Sequence, residues 1–359
     1  MEKKIKVLYV TQAPLRHYRV PIFRLVNSNP NIDLTLAHCG KDIIQHDMPE
    51  ILLKKEKYGP FSVYKDFEKI CDGYNVILCM FYYDNISVLT SVLRKKRKII
   101  LWSIGVPSSY NRQFGEASKL RYKIMNFFQR RADALIFYSD APLEILRKKG
   151  VHLDEEKVFF ANNTVEVIQQ PIITDSKKSL LFIGTLYLEK GLQLLLDAYK
   201  EAYKTQADLL PLNIVGDGAQ MGRIKKWITN EGLENKIIML GPIYDTHKKA
   251  EIFGESIACI SPKQAGLSVL ESMGYGVPFI TSEKAITGGE AFNIASGENG
   301  LLLKDLAMLK DVILDIHKNR DKYLYMGEKA HEYYWNKRTP DAMATGIISA
   351  INYAYQANE

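Results

Sequence analysis

At 359 residues the chain is too long for one comfortable core and about right for two domains of ordinary size. Hydrophobic residues make up 47% and charged residues 25%, which excludes a disordered chain, and no apolar run approaches the roughly 20 residues needed to cross a bilayer. The net charge of +7 is uneven: residues 1–150 carry 26 Lys and Arg against 14 Asp and Glu, the remainder 22 against 27. The basic first half predicts an anionic partner on that side only, and nucleic acid is not expected because no recognised binding module accompanies the charge.

The N-terminus MEKKIKVLYV enters a strand-like run directly, without a signal-peptide pattern, so a cytoplasmic protein is expected. From there, short β-branched runs alternate with longer amphipathic ones, the pattern of βαβ units. In the first half strands are predicted at 6–12, 33–39, 61–65, 75–83, 98–105, 133–139 and 157–163, with helices at 20–27, 86–94 and 119–131 among them. The stretch QQPIITDSKK, 169–178, suits a linker. Strands are predicted again at 179–185, 210–218, 236–243, 256–263, 278–283 and 300–304, and a last helix near 339–355. Two Rossmann-like domains in tandem follow, 1–168 and 176–338, and ligands of such sheets bind beyond the C-terminal strand ends. Cys39, Cys71, Cys79 and Cys259 lack CxxC pairing and read as free structural thiols. With no HExxH, HxxxH or Asp-x-Asp spacing, neither a metal nor a cofactor is expected.

Four stretches of the second half converge on a pyrophosphate-linked ligand. In FIGTLYLEKGLQLL a strand ends at Gly184, and Lys190-Gly191 stands before a helix, where backbone N–H groups and the helix dipole favour an anion. In NIVGDG, Gly216 and Gly218 allow a tight turn or a close backbone approach. LGPIYD, with Ile243, ends a strand on the same side, where its backbone could meet a nucleobase. In SPKQAGLSVLESMGYG the amides of Gly266 and Leu267 precede a helix, and Glu271, one turn inside, could accept from ribose hydroxyls.

The order and spacing of these pieces, over Leu180 to about Lys304, resemble the nucleotide-sugar domain of the family 4 retaining glycosyltransferases of the GT-B fold. The family's strand-end glycine, Lys-Gly, GxG turn and Glu-x7-Glu entry are met by Gly184, Lys190-Gly191, Gly216-Asp217-Gly218, and Gly266 with Glu271. The resemblance implies an α/β protein of GT-B type, two Rossmann-like domains facing across a cleft, whose last helix, about 339–359, returns to the N-terminal acceptor domain. It implies a nucleotide diphosphate sugar as co-substrate, with Lys190 on the diphosphate, Glu271 on the ribose, and a glycan or lipid-linked glycan as acceptor. Bacterial surface polysaccharide synthesis is the process it most often implies.

Three positions depart from the family pattern: Lys263 stands for the first glutamate, Thr185 for the arginine after the strand-end glycine, and Ile104 for the histidine near WxxG. Lys263 could return some of the lost positive charge, and Arg19, in the loop after the first strand, is expected to contact phosphate or acceptor. His17, Trp102, Ser103 and Gly105 are expected on the acceptor side. The basic runs RKKRK and KLRYKIMNFFQRR would suit an anionic membrane surface. A donor-binding or scaffold protein without transfer activity, and a sugar-nucleotide epimerase, are the alternative classes.

Overall fold

The computed structural model describes residues 4–40, 46–108 and 113–356. The chain folds as two compact units, one formed by 1–107, 115–163 and 340–359, the other by 108–114 and 164–339.

In the first unit β1 (Ile5–Val10), β2 (Ile32–His38), β3 (Glu50–Leu52), β6 (Val76–Met80), β7 (Lys98–Ser103), β8 (Ala134–Phe137) and β9 (Val158–Phe160) form one parallel sheet. Its order is β3-β2-β1-β6-β7-β8-β9. The central strands read IKVLYV, VILCM and KIILWS because a parallel strand covered on both faces has no solvent side for polar residues. Helices α1 (Val20–Asn27), α2 (Phe67–Cys71), α3 (Ile86–Arg94), α4 (Lys119–Gln129) and α5 (Ala141–Lys148) flank it.

The strand expected at 61–65 does not enter this sheet. Residues Phe61–Tyr64 (β5) pair antiparallel with Lys55–Tyr58 (β4), around a turn in which Gly59 takes φ +60°. The sequence KEKY is too charged for a strand buried on both faces, whereas Gly59-Pro60 between two four-residue runs favours a hairpin.

The second unit carries a parallel sheet of order β12-β11-β10-β13-β15-β17. Its strands are β10 (Ser179–Ile183), β11 (Leu212–Val215), β12 (Ile237–Gly241), β13 (Ser256–Ile260), β15 (Phe279–Ser282) and β17 (Gly300–Leu303). Two short strands, β14 (Gln264–Ala265) and β16 (Ile286–Thr287), pair separately. Around them lie α6 (Leu192–Thr205), α7 (Met221–Asn230), α8 (Thr246–Gly254), α9 (Ser268–Gly274), α10 (Leu309–Lys318) and α11 (Arg320–Lys337). Residues 169–178 pack on this unit: the Lys177 ammonium is buried and donates to the carbonyls of Phe253 (3.3 Å) and Ser256 (2.9 Å).

The helix Pro340–Gln356 belongs to the first unit. Met343, Ala344, Ile347, Ala350, Ile351 and Ala354 are buried in the same core as Val7, Leu78 and Trp102. Small residues on this face let the helix sit close to the sheet, and a Cβ on Gly346 would lie 2.0 Å from the Phe160 carbonyl oxygen. Residues 357–359 of the expected helix lie outside the described residues. All four cysteines are free, and Cys71, Cys79 and Cys259 are buried. No helix among the described residues is long and apolar enough to cross a membrane.

Candidate functional site

In the second sheet β10 has β11 on one side and β13 on the other, so the connection from β10 and the connection from β13 leave in opposite directions. This is the switch point at which open parallel sheets take ligands. Lys190 follows β10 and Lys263 follows β13, so both sit at it.

Lys190 ends a 3-10 turn, Leu188–Lys190, and Gly191 then caps α6 in the left-handed conformation, φ +70°. The residue is only 7% exposed, and burial pushes its ammonium pKa down to about 8. No carboxylate among the described residues pairs with it, and the Tyr187 ring centroid lies 5.9 Å from Nζ. The strand-end glycine makes room for it: a Cβ on Gly184 would fall 2.9 Å from that Nζ. Gly216 is required for the same reason, since its Cβ would meet the Gly184 carbonyl oxygen at 1.9 Å. The result is a desolvated cation beside the N-terminus of a 14-residue helix, both favouring one anion.

Lys263 is exposed and lies next to Lys190 along the backbone, its N–H donating to the Lys190 carbonyl at 3.3 Å. Its stem crosses the cap of α6, so that a Cβ on Gly191 would meet Lys263 Cγ at 2.9 Å. Glu271 sits on α9, and its Oε1 accepts from Lys249 Nζ of α8 at 2.8 Å, with both side chains largely buried. Burial pushes the Cys259 thiol up to about 12, and that thiol feels both the Glu271 carboxylate, which raises it, and the Lys190 ammonium, which lowers it. Gly184 with Lys190, Gly216, and Lys263 with Glu271, from three separate stretches, therefore lie around the ends of β10 and β13.

The remaining expected residues of this unit hold plain structural positions. The N–H of Gly218 donates to Asp217 Oδ1 (2.6 Å), and Ile243 is half-buried against the core. Gly266 and Leu267 are partly exposed ahead of α9, which is only seven residues long. Neither Lys249 nor the hydroxyl of Tyr187, which donates to the Gln264 side-chain oxygen, is among the residues expected from sequence. Both depend on partners 22 and 77 positions away, and no local pattern announces them.

The other expected residues belong to the first unit. Arg19 is held within it: Nη2 donates to Asn163 Oδ1 (2.6 Å) and Nη1 to Met343 Sδ (2.9 Å). Its guanidinium lies 5.1–5.6 Å from the rings of Tyr138, Tyr18 and Trp102. Trp102 is 1% exposed and packs with Tyr9, Phe23 and Tyr138. Ser103 Oγ accepts from the Gly105 N–H at 3.0 Å, and His17 is exposed with its ring edge-on to Tyr18. Among the described residues no group of three His, Cys, Asp or Glu side chains could hold a metal ion.

Residues 164–333, the part of the chain that carries the Lys190 site, match the model of the family described as glycosyl transferases group 1. The match covers 170 of the 359 residues, just under half of the chain. Over 182 residues the chain is 28% identical to N-acetyl-alpha-D-glucosaminyl L-malate synthase of Bacillus anthracis, covering 50% of this chain and 46% of that protein. Over 128 residues it is 35% identical to D-rhamnosyltransferase WbpZ of Pseudomonas aeruginosa, covering 34% and 31%. The chain thus spans about half or less of the length of these curated relatives.

The likeness of fold extends beyond the matched segment. A crystal structure of Anabaena HepE in complex with UDP superposes with a TM-score of 0.73 at 15% identity, over 97% of this chain and 100% of that one. A glycosyltransferase from Rickettsia africae superposes at 0.74 and 15%, over 99% and 100%. The chain has the α/β fold of the GT-B glycosyltransferases, with a parallel sheet in each half.

Proposed function

We propose that the protein is a retaining, metal-independent glycosyltransferase that moves a sugar from a nucleotide diphosphate sugar to a glycan or lipid-linked glycan, in surface polysaccharide synthesis at the cytoplasmic membrane face. The observation that carries this reading is Lys190, a buried ammonium that pairs with no carboxylate among the described residues, at the switch point and next to the α6 N-terminus. A diphosphate supplies the missing charge, and Glu271, steadied by Lys249, is the acceptor for ribose hydroxyls. A relative named as a rhamnosyltransferase, and a neighbour crystallised with UDP, support the class of donor.

In this reading the bond from the anomeric carbon to phosphate oxygen breaks, and the acceptor oxygen bonds to that carbon on the same face. The acceptor proton passes to the departing phosphate, so no protein nucleophile or base is required. Lys190 then acts by stabilising the leaving diphosphate, with Lys263 as the second cation in reach of the same helix cap.

Thermal shift and calorimetry with UDP, GDP, ADP and CMP and their sugar conjugates test the donor site. One nucleotide should stabilise the wild type saturably, and Glu271→Ala and Lys190→Ala should each lose that response. Labelled donor with candidate acceptors then tests transfer. The anomeric configuration of the product tests retention, and assays with chelator test the independence from metal. Thr185, Lys263 and Ile104 favour one second reading, a protein that binds the donor without transferring its sugar. Saturable binding with neither product nor donor hydrolysis would select it.

A further inference from the structure

The two basic runs of the first unit have different fates in the fold. In the first, Arg97 is paired with Glu68 and Asp72, Arg94 with Glu68 (3.6 Å), and Lys98 with Asp133 (3.4 Å). In the second, on α4 and just after it, no cation has a carboxylate partner among the described residues. Arg121 lies over the Tyr83 ring at 4.5 Å and Arg131 over the Phe127 ring at 3.6 Å.

Helix α4 is apolar on two sides. Tyr122 and Met125 face the core, with Gln129 buried beside them. Leu120 (66% exposed), Ile124 (44%) and Phe127 (44%) stand on the opposite side, spaced four and three residues apart on one stripe. Beside that stripe a hollow of about 500 Å³ is lined by Lys123, Asn126, Phe127, Arg130 and Arg131, three cations and no acid. Asn126 Oδ1, at its wall, is buried without a hydrogen-bond partner. A purely solvated face would not place three large apolar side chains outward, and a protein-binding face of this charge would need an acidic, apolar counterpart.

The geometry points to α4 as a membrane-docking helix, with Leu120, Ile124 and Phe127 entering the acyl boundary and the Lys123–Arg130–Arg131 hollow receiving the phosphate of an anionic lipid. A bilayer supplies both demands at once, an apolar layer and a plane of phosphates a few ångströms above it. The inference stands apart from the donor site, since no residue of the second unit enters it.

Co-sedimentation of the full chain with vesicles of phosphatidylcholine alone, and with phosphatidylglycerol added, tests it. We expect binding at least about tenfold stronger to the anionic vesicles, weakening as salt rises. Lys123→Glu/Arg130→Glu/Arg131→Glu should lose that preference. Leu120→Ser/Ile124→Ser/Phe127→Ser should lose binding to both kinds of vesicle while keeping the wild-type melting temperature, all six positions being exposed. Equal binding by the wild type and both variants would overturn the proposal, as would no binding at all. Full competition by inorganic phosphate, with no effect of the serine variant, would also overturn it and mark a soluble-anion site. A change of oligomeric state in the serine variant with vesicle binding intact would overturn it in favour of self-association.

Discussion

A buried ammonium with no anion beside it weighs on the ligand-free protein, and at Lys190 that burden has a pH signature. Burial lowers its pKa from 10.5 to about 8, so between those values the unfolded chain binds more protons and stability contributed by this residue rises with pH. Below about pH 8 the penalty is complete. For a bound diphosphate the sign reverses, because the anion needs the charged form. Calorimetry should find affinity level below about pH 8 and declining above it, and in Lys190→Arg the decline should disappear, since guanidinium stays protonated throughout. At Lys263, exposed on the α6 cap, charge removal by Lys263→Met should weaken the donor by roughly fivefold or less, as screened surface charges do. Unchanged affinity and turnover would mean that its charge is not used. Gly184, Lys190 and Gly191 could be read together because they lie within one strand–turn–helix, whereas the packing of Gly216 on Gly184 joins two strands. The surroundings of Arg19 were not, because Asn163 and Met343 come from 144 and 324 positions away.

At the scale of elements, alternation of apolar and amphipathic runs located both parallel sheets, since strands covered on two faces leave continuous apolar runs. The β4–β5 hairpin was less legible, because β5 alone resembles a buried strand and only its charged partner reveals its place. The outward stripe of α4 was unreadable for another reason: a helix apolar on two sides has no periodicity that says which side meets the core. Glycines in helices offer a direct test of packing. Gly346→Val should lower stability by about 3 kcal/mol, because its Cβ would meet the Phe160 carbonyl at 2.0 Å and backbone must move. Gly222→Ala, within α7 with nothing inside 4 Å, should instead add about 0.5–1 kcal/mol. Thermal melts followed by circular dichroism compare the two.

Over the whole molecule, the first unit is assembled from distant parts of the chain while residues 164–339 run continuously within the second. Truncation after Thr339 removes six buried side chains from the core around Val7 and Trp102. That fragment should lose the cooperative melt of its first unit and bind dyes specific for exposed apolar surface, whereas the segment 164–339 should keep a cooperative melt of its own. It would lack two contacts of the segment 108–114, Ser108 Oγ donating to the Thr287 carbonyl (3.0 Å) and Phe114 edge-on against Phe292 (4.9 Å). The placement of helix Pro340–Gln356 also orders events on the ribosome. Residues 1–163 emerge with the part of their sheet over β6–β9 not yet covered by this helix and remain so while residues 164–339 are made, a wait of roughly 10–35 s at ordinary elongation rates. During that interval the middle of the chain can reach its native state, so the part synthesised first becomes the part completed last, and the exposed sheet of the first unit is where a chaperone would be needed.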